Sequence, residues 1–151
     1  MKDLKQLAKA ASNFRTAIDD LREINERGLS ITLLYNFPFS CCDYASELLQ
    51  KYLLEYYSQN TYRVWYYREN GSNKQSHCWL EIPGSKVIID ITGDQYPDYS
   101  VKTFVDDHPD VFHNEFRYLQ KDTESYRDNF EKIKFDRDYK LIVNWIHKKL
   151  L

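Results

Sequence analysis

Cys42, His77 and Asp90 are the residues of this 151-residue chain whose types and spacing suit nucleophilic chemistry. A thiol attacks a carbonyl as its thiolate, an imidazole draws off the thiol proton, and a carboxylate orients that imidazole and stabilises its charged form. The thiol belongs to a vicinal pair, Cys41-Cys42, inside the stretch FPFSCCDYASELL. Neighbouring cysteines make a poor structural disulfide, because the ring is strained and closes almost no loop. Ser40 followed by Asp43 reads as a capping-box-like helix start, which puts both cysteines in the first turn. Unpaired N–H groups and the helix dipole favour a thiolate there. Tyr44, Ala45, Leu48, Leu49, Tyr52, Leu53 and Tyr56 form one apolar stripe at helical spacing. Cys41 projects near its centre and reads as buried and inert; Cys42 projects toward its edge and is expected to face a cleft.

The segment HCWLEIPGSKVIIDIT carries the other two groups. Cys78, Leu80 and Ile82 alternate with His77, Trp79 and Glu81, and Val87, Ile89 and Ile91 alternate with Ile88, Asp90 and Thr92. A hairpin turning at Gly84-Ser85 pairs Ile82 with Val87, Leu80 with Ile89 and Trp79 with Asp90. His77 and Asp90 then share the face opposite the core as diagonal neighbours, within side-chain reach. A one-residue slip would separate them, and it would also turn one strand's apolar set away from the core. Trp79 is expected to line the cleft and shield the His–Asp bond, with Gln95, just beyond Asp90, lining it as well.

SCCDYASELLQKYL, SHCWLEI and VIIDITGDQY, in that order, resemble the papain-like fold in its transglutaminase-like branch over residues 36–96. The chain also resembles small bacterial proteins carrying FP-x-x-C-C, S-H-x-W-L-E and I-I-D-I-T-x-D-Q blocks. The resemblance implies Cys42 as nucleophile, His77 as base and Asp90 as orienting acid. It further implies an amide oxyanion donor six residues before the nucleophile, which here is Asn36, with the Cys42 backbone N–H as a second donor. Where those families commonly have Trp after the nucleophile this chain has Asp43, which leaves the substrate class open. The implied activity is acyl transfer from an amide or peptide bond: proteolysis, deamidation or transglutamination of a protein or peptide substrate, with no cofactor.

Other elements must hold these groups in place. Leu4, Leu7, Ala8, Ala11, Phe14, Ala17, Ile18, Leu21 and Ile24 recur at helical steps, so residues 1–28 read as an N-terminal helix region capped at Gly28. A second helix is expected from about Cys41 to Ser58. TYRVWYYR, SHCWLEI and KVIIDIT read as strands, with turns at 70–73 and 83–86. KTFV is a further strand candidate, DDHPDVF reads as a loop, and residues 137–151 close the chain as an amphipathic helix. This order indicates one α+β domain over 1–151, an antiparallel sheet with helices packed on it, and a catalytic-like core at 36–96.

A formal net charge of -2 supplies no global basic field for nucleic acid. The sequence has neither an apolar run long enough for a membrane span nor a Gly-rich phosphate loop. Three cysteines, one pair adjacent, fit free thiols in a reducing, cytoplasmic setting. Asp106, Asp107, His108 and His113 match no zinc signature, and no metal is expected. The 13 tyrosines, 8 phenylalanines and 3 tryptophans are expected to pack. Two non-catalytic readings stand beside the enzyme: an inactive interaction module of the same fold, and a carbohydrate or peptide binder using the aromatic surface.

Overall fold

The computed structural model describes residues 3–122 and 128–151. It comprises a five-stranded antiparallel sheet with helices, as the α+β reading anticipates. The elements in chain order are α1 (Leu4–Glu23), α2 (Cys42–Tyr57), β1 (Tyr62–Asn70), β2 (Asn73–Glu81), β3 (Ile88–Asp90), β4 (Phe104–Asp106), α3 (Val111–Asn114), β5 (Arg117–Asp122) and α4 (Asn129–Trp145). A wide π-type turn, Ile146–Leu150, continues α4, and a similar turn at Thr32–Asn36 precedes α2. The spatial strand order is β4-β3-β2-β1-β5.

The apolar stripe of α1 is buried through Leu7, Ala10, Ala11, Phe14, Ala17, Ile18 and Leu21. Asp3 caps its start by accepting from the Gln6 N–H at 2.9 Å. The helix ends at Ile24, followed by Asn25 at φ 56°, so Gly28 is not its cap. Gly28 instead lies under Leu141, where a Cβ would stand 3.1 Å from that side chain. The closing helix begins at Asn129, eight residues before the expected 137, with Asp128 as its cap.

Hairpin β1–β2 closes at Gly71-Ser72 with Asn70 opposite Asn73, and Gly71 takes the positive φ of 65° that such a tight loop requires. Strands β2 and β3 meet in the expected register, Leu80 opposite Ile89, and the Ile82 N–H donates to the Val87 carbonyl at 3.3 Å. The two faces of the sheet carry two separate cores. On one face Leu80, Ile82, Val87, Ile89 and Ile91 join the stripes of α1, α2 and α4. On the other, Trp79 and Ile88 join Phe112 and Phe116, with Tyr66, Tyr96, Tyr99 and Phe104 around them. The His77 face is roofed by α3 and its flanking aromatics, because side chains beyond Gly93 supply an apolar layer that alternation within the strands does not reveal. β5 was likewise not foreseen; it is a mostly exposed edge strand on β1, with a register shift between Trp65 and Tyr66.

Candidate active site

The site lies where β2 loses a neighbour. β3 pairs only with Leu80 and Glu81, after which its chain turns away through Ile91 and Thr92 into a short turn at Gly93–Gln95. Between Trp79 and Asn73, β2 is therefore unpaired on that side, and His77 borders the notch. The returning turn brings the Gln95 amide nitrogen to 2.8 Å from His77 Nδ1. The other ring nitrogen, Nε2, lies 2.7 Å from Asp90 Oδ2. The sheet register thus brings His77 and Asp90 together as the alternation predicts.

α2 starts at Cys42, with Cys41 as the N-cap residue and no side chain capping the turn. Ser40 does not cap it: its backbone is left-handed, at φ 57°. Asp43 is not a capping-box partner either, since Arg63 of β1 donates to it at 2.5 Å. What fixes the helix start is this ion pair, with Arg63 5% exposed, and the seating of Cys41 in the main core. Burial first, and the neighbouring Cys42 second, push the Cys41 thiol up to about 12, so it is an inert core group. Cys42 lies outside that core, is 7% exposed, and forms part of the wall of a cavity of about 420 Å³.

The Cys42 side chain is close enough to His77 to favour its charged form. Burial works against a charged imidazole, but the Asp90 carboxylate, its hydrogen bond and the neighbouring Cys42 outweigh it, lifting His77 to about 9. For Asp90, burial again opposes the charge. His77 and His113 overcome it and hold the carboxyl well below the usual range. Asp90 Oδ1 also accepts the Thr92 N–H at 3.0 Å.

Gln95 lines the cavity as expected, together with Ser76, Trp65 and Lys134. Two other expectations are corrected. Trp79 does not line it; it is 1% exposed, stacked on Tyr66 with ring centroids 4.2 Å apart and edge-on to His77 and His113. The aromatic wall is Trp65, which stands opposite Cys78 in the β1–β2 register and so shares the α2 face of the sheet. Asn36 is exposed and is not part of the cavity wall. The turn at Thr32–Asn36 places it outside, and the side-chain amide that reaches the cavity is that of Gln95.

A third buried group escaped the sequence reading. His113 of α3 is fully buried, with Nε2 2.7 Å from Asp90 Oδ2 and Nδ1 2.6 Å from Asp110 Oδ1. Its only sequence signal was membership of the polar run DDHPDVFHNEF. Asp106, Asp107 and His108 of that run cluster at the surface, where His108 Nδ1 lies 2.6 Å from Asp107 Oδ1.

Compared with known proteins, the chain matches no family model, no curated protein and no solved structure. Among the described residues no helix is long and apolar enough to cross a membrane.

Proposed function

We propose that this chain is a cysteine-dependent acyl-transfer enzyme of papain-like, transglutaminase-like type, acting on an amide or peptide bond. The observation that carries the reading is the buried His77, bonded to Asp90 through Nε2 and neighboured by the helix-start Cys42. His77 takes the Cys42 proton, and the sulfur attacks the substrate carbonyl carbon. The Cys42 backbone N–H, in the first turn of α2, and the Gln95 amide stabilise the resulting oxyanion. His77 then gives its proton to the leaving amine as the C–N bond breaks, leaving a thioester. Water attacking that thioester gives hydrolysis or deamidation, and an amine gives transfer. Asp90 keeps the ring oriented throughout and remains ionised.

Gln95 suits both states of the base. Its amide nitrogen donates to a neutral Nδ1, and after an amide flip its oxygen accepts from the protonated one. A polypeptide substrate is supported by a second cavity, about 480 Å³, that shares Thr32 and Lys134 with the first and is walled by Ile31, Phe130 and Ile133. The cysteines are free, which suits a reducing, cytoplasmic setting.

A second reading is favoured by the full burial of His77: an interaction module that keeps the arrangement without turnover. Iodoacetamide labelling at each cysteine across pH, read by peptide mass spectrometry on wild type and His77→Ala, separates the two. The enzyme reading expects Cys42 to label fast at and below neutral pH and to lose that advantage without His77, while Cys41 and Cys78 stay slow. Slow labelling of all three cysteines, unchanged by the substitution, overturns it in favour of the module.

A further inference from the structure

His113 is the buried titratable group that the acyl-transfer steps do not use. Its two ring nitrogens each face a carboxylate oxygen, Asp90 at 2.7 Å and Asp110 at 2.6 Å. Both carboxyls are held below their ordinary range and so act as acceptors. Two acceptors at these distances require two N–H donors, which an imidazole has only when it carries its second proton. The ring is held in that pose by apolar neighbours from several elements. Phe104 stacks on it at 4.5 Å, and Trp79, Tyr99 and Phe112 meet it edge-on at 5.0–5.5 Å. Asp110 is itself fixed, accepting the His113 N–H as the cap of α3 at 2.8 Å and the Tyr99 hydroxyl at 2.5 Å.

We propose that His113 is a fixed buried cation which positions Asp90 and, by offsetting its charge, sets how readily His77 gives its proton back. This deepens the acyl-transfer reading and rests on it for its purpose. The charge bookkeeping favours it. Without His113, Asp90 would be a fully buried anion whose only cation is the base itself, and a base paired that closely to an uncompensated carboxylate holds its proton too firmly to pass it to a leaving amine. With His113 in place, Asp90 Oδ2 is shared between two imidazoles at equal distance, 2.7 Å each. The other charged groups nearby do not take over this role. Arg68, over Phe112 and Phe116, is committed to Asp98 at 2.8 and 2.9 Å, with Glu115 at 3.8 Å. Tyr96 packs on His77, and its hydroxyl donates to the Ser76 carbonyl. His113 is thus a positioning residue, two hydrogen bonds removed from His77 and further still from the thiol, and Asp110 is the anion that keeps it charged.

The test is the NMR titration of the His77 ring in the full chain carrying Cys42→Ala, which removes coupling to the thiol. The four histidines are assigned by single substitutions. His113→Gln keeps an N–H donor for Asp90 but no charge. Asp110→Asn keeps the helix cap but removes the anion behind His113. Both are expected to raise the His77 midpoint by about one pH unit, the lower end of what exposing an unshielded opposite charge produces. A purely structural role would lower the melting temperature and leave the midpoint unmoved; that result, or a downward shift, overturns the proposal. If His113→Gln does not fold, Asp110→Asn decides alone. The titration needs no turnover, so a Cys42 that is unreactive in the wild type together with a shifted His77 midpoint discards the enzyme and keeps the role of His113. A reactive Cys42 beside an unshifted His77 does the reverse.

Discussion

Arg15 of α1 grips Asp94 with both terminal guanidinium nitrogens, at 2.7 and 2.8 Å, and also donates to the Ile91 carbonyl at 2.8 Å. The Arg15 side chain is 5% exposed, and Asp19, one helical turn on, accepts from its Nε at 3.0 Å. Asp94 immediately precedes Gln95, so this fork ties the N-terminal helix to the turn that covers His77. The first helix is therefore part of the site's frame, although it contributes nothing to the cavity wall. Arg15→Leu should cost about 3 kcal/mol by leaving Asp94 and a buried carbonyl without their donor. It should also slow Cys42 labelling as the turn loosens. Urea denaturation with parallel labelling checks both, and a stability loss under about 1 kcal/mol would show that the fork is incidental.

The two amides weighed for the oxyanion make opposite predictions. Asn36 is exposed and outside the cavity, so Asn36→Ala should leave labelling and turnover unchanged and stability within about 0.5 kcal/mol. Gln95→Ala removes the amide beside His77 Nδ1 and should lower turnover by about 10²-fold once a substrate is in hand. Equal, small effects from the two would remove Gln95 from the mechanism.

The same division was legible in the cysteine pair, and the reasons mark how far sequence reading reaches. Helical spacing separates Cys41 from Cys42 because the α2 stripe has one centre, and the core that forms around it includes Cys41 and leaves Cys42 at the edge. The Leu80–Ile89 register follows from two alternating strands that each bury one apolar set, and it carries His77 and Asp90 with it. The helix cap was misread because Ser40 adopts a left-handed backbone that no local pattern announces, while Arg63, twenty residues downstream of Asp43, claims the carboxylate. His113 could not be read at all. Its partner Asp90 lies twenty-three residues away, and the aromatic layer that buries it is assembled from Trp79, Phe104, Phe112 and Tyr99, which share no periodicity.

From that division, Cys41→Ala should cost about 1 kcal/mol through a small core void and leave Cys42 reactivity intact. Cys42→Ala should cost less stability and abolish turnover. Thermal melts and labelling on the two variants check this, and equal loss of activity from both sinks the assignment of Cys42 alone.

Proton linkage gives the last prediction. His77 titrates near its ordinary 6.5 in the unfolded chain and at about 9 in the folded one. Below pH 6.5 both states hold the proton and the ion pair contributes in full. Between 6.5 and 9 the unfolded chain has lost a proton that the folded chain retains, so stability falls as pH rises, and above 9 the contribution is gone. Asp90 works in the other direction. Its lowered pKa makes the same pair fail as pH drops below the ordinary carboxyl value of 3.8, because the unfolded chain then binds the proton first. The pair is one interaction seen from two sides, so the two are not summed. On the alkaline side the loss is about 3 kcal/mol, from the shift at about 1.4 kcal/mol per unit. For a chain of this size that corresponds to a fall in melting temperature on the order of 10 °C between pH 6.5 and 9. His77→Gln should be less stable than wild type at pH 6 and should lack this alkaline slope, so the two melting curves converge near pH 9.5. Parallel curves across that interval would show that Asp90 does not hold the His77 proton in the folded chain.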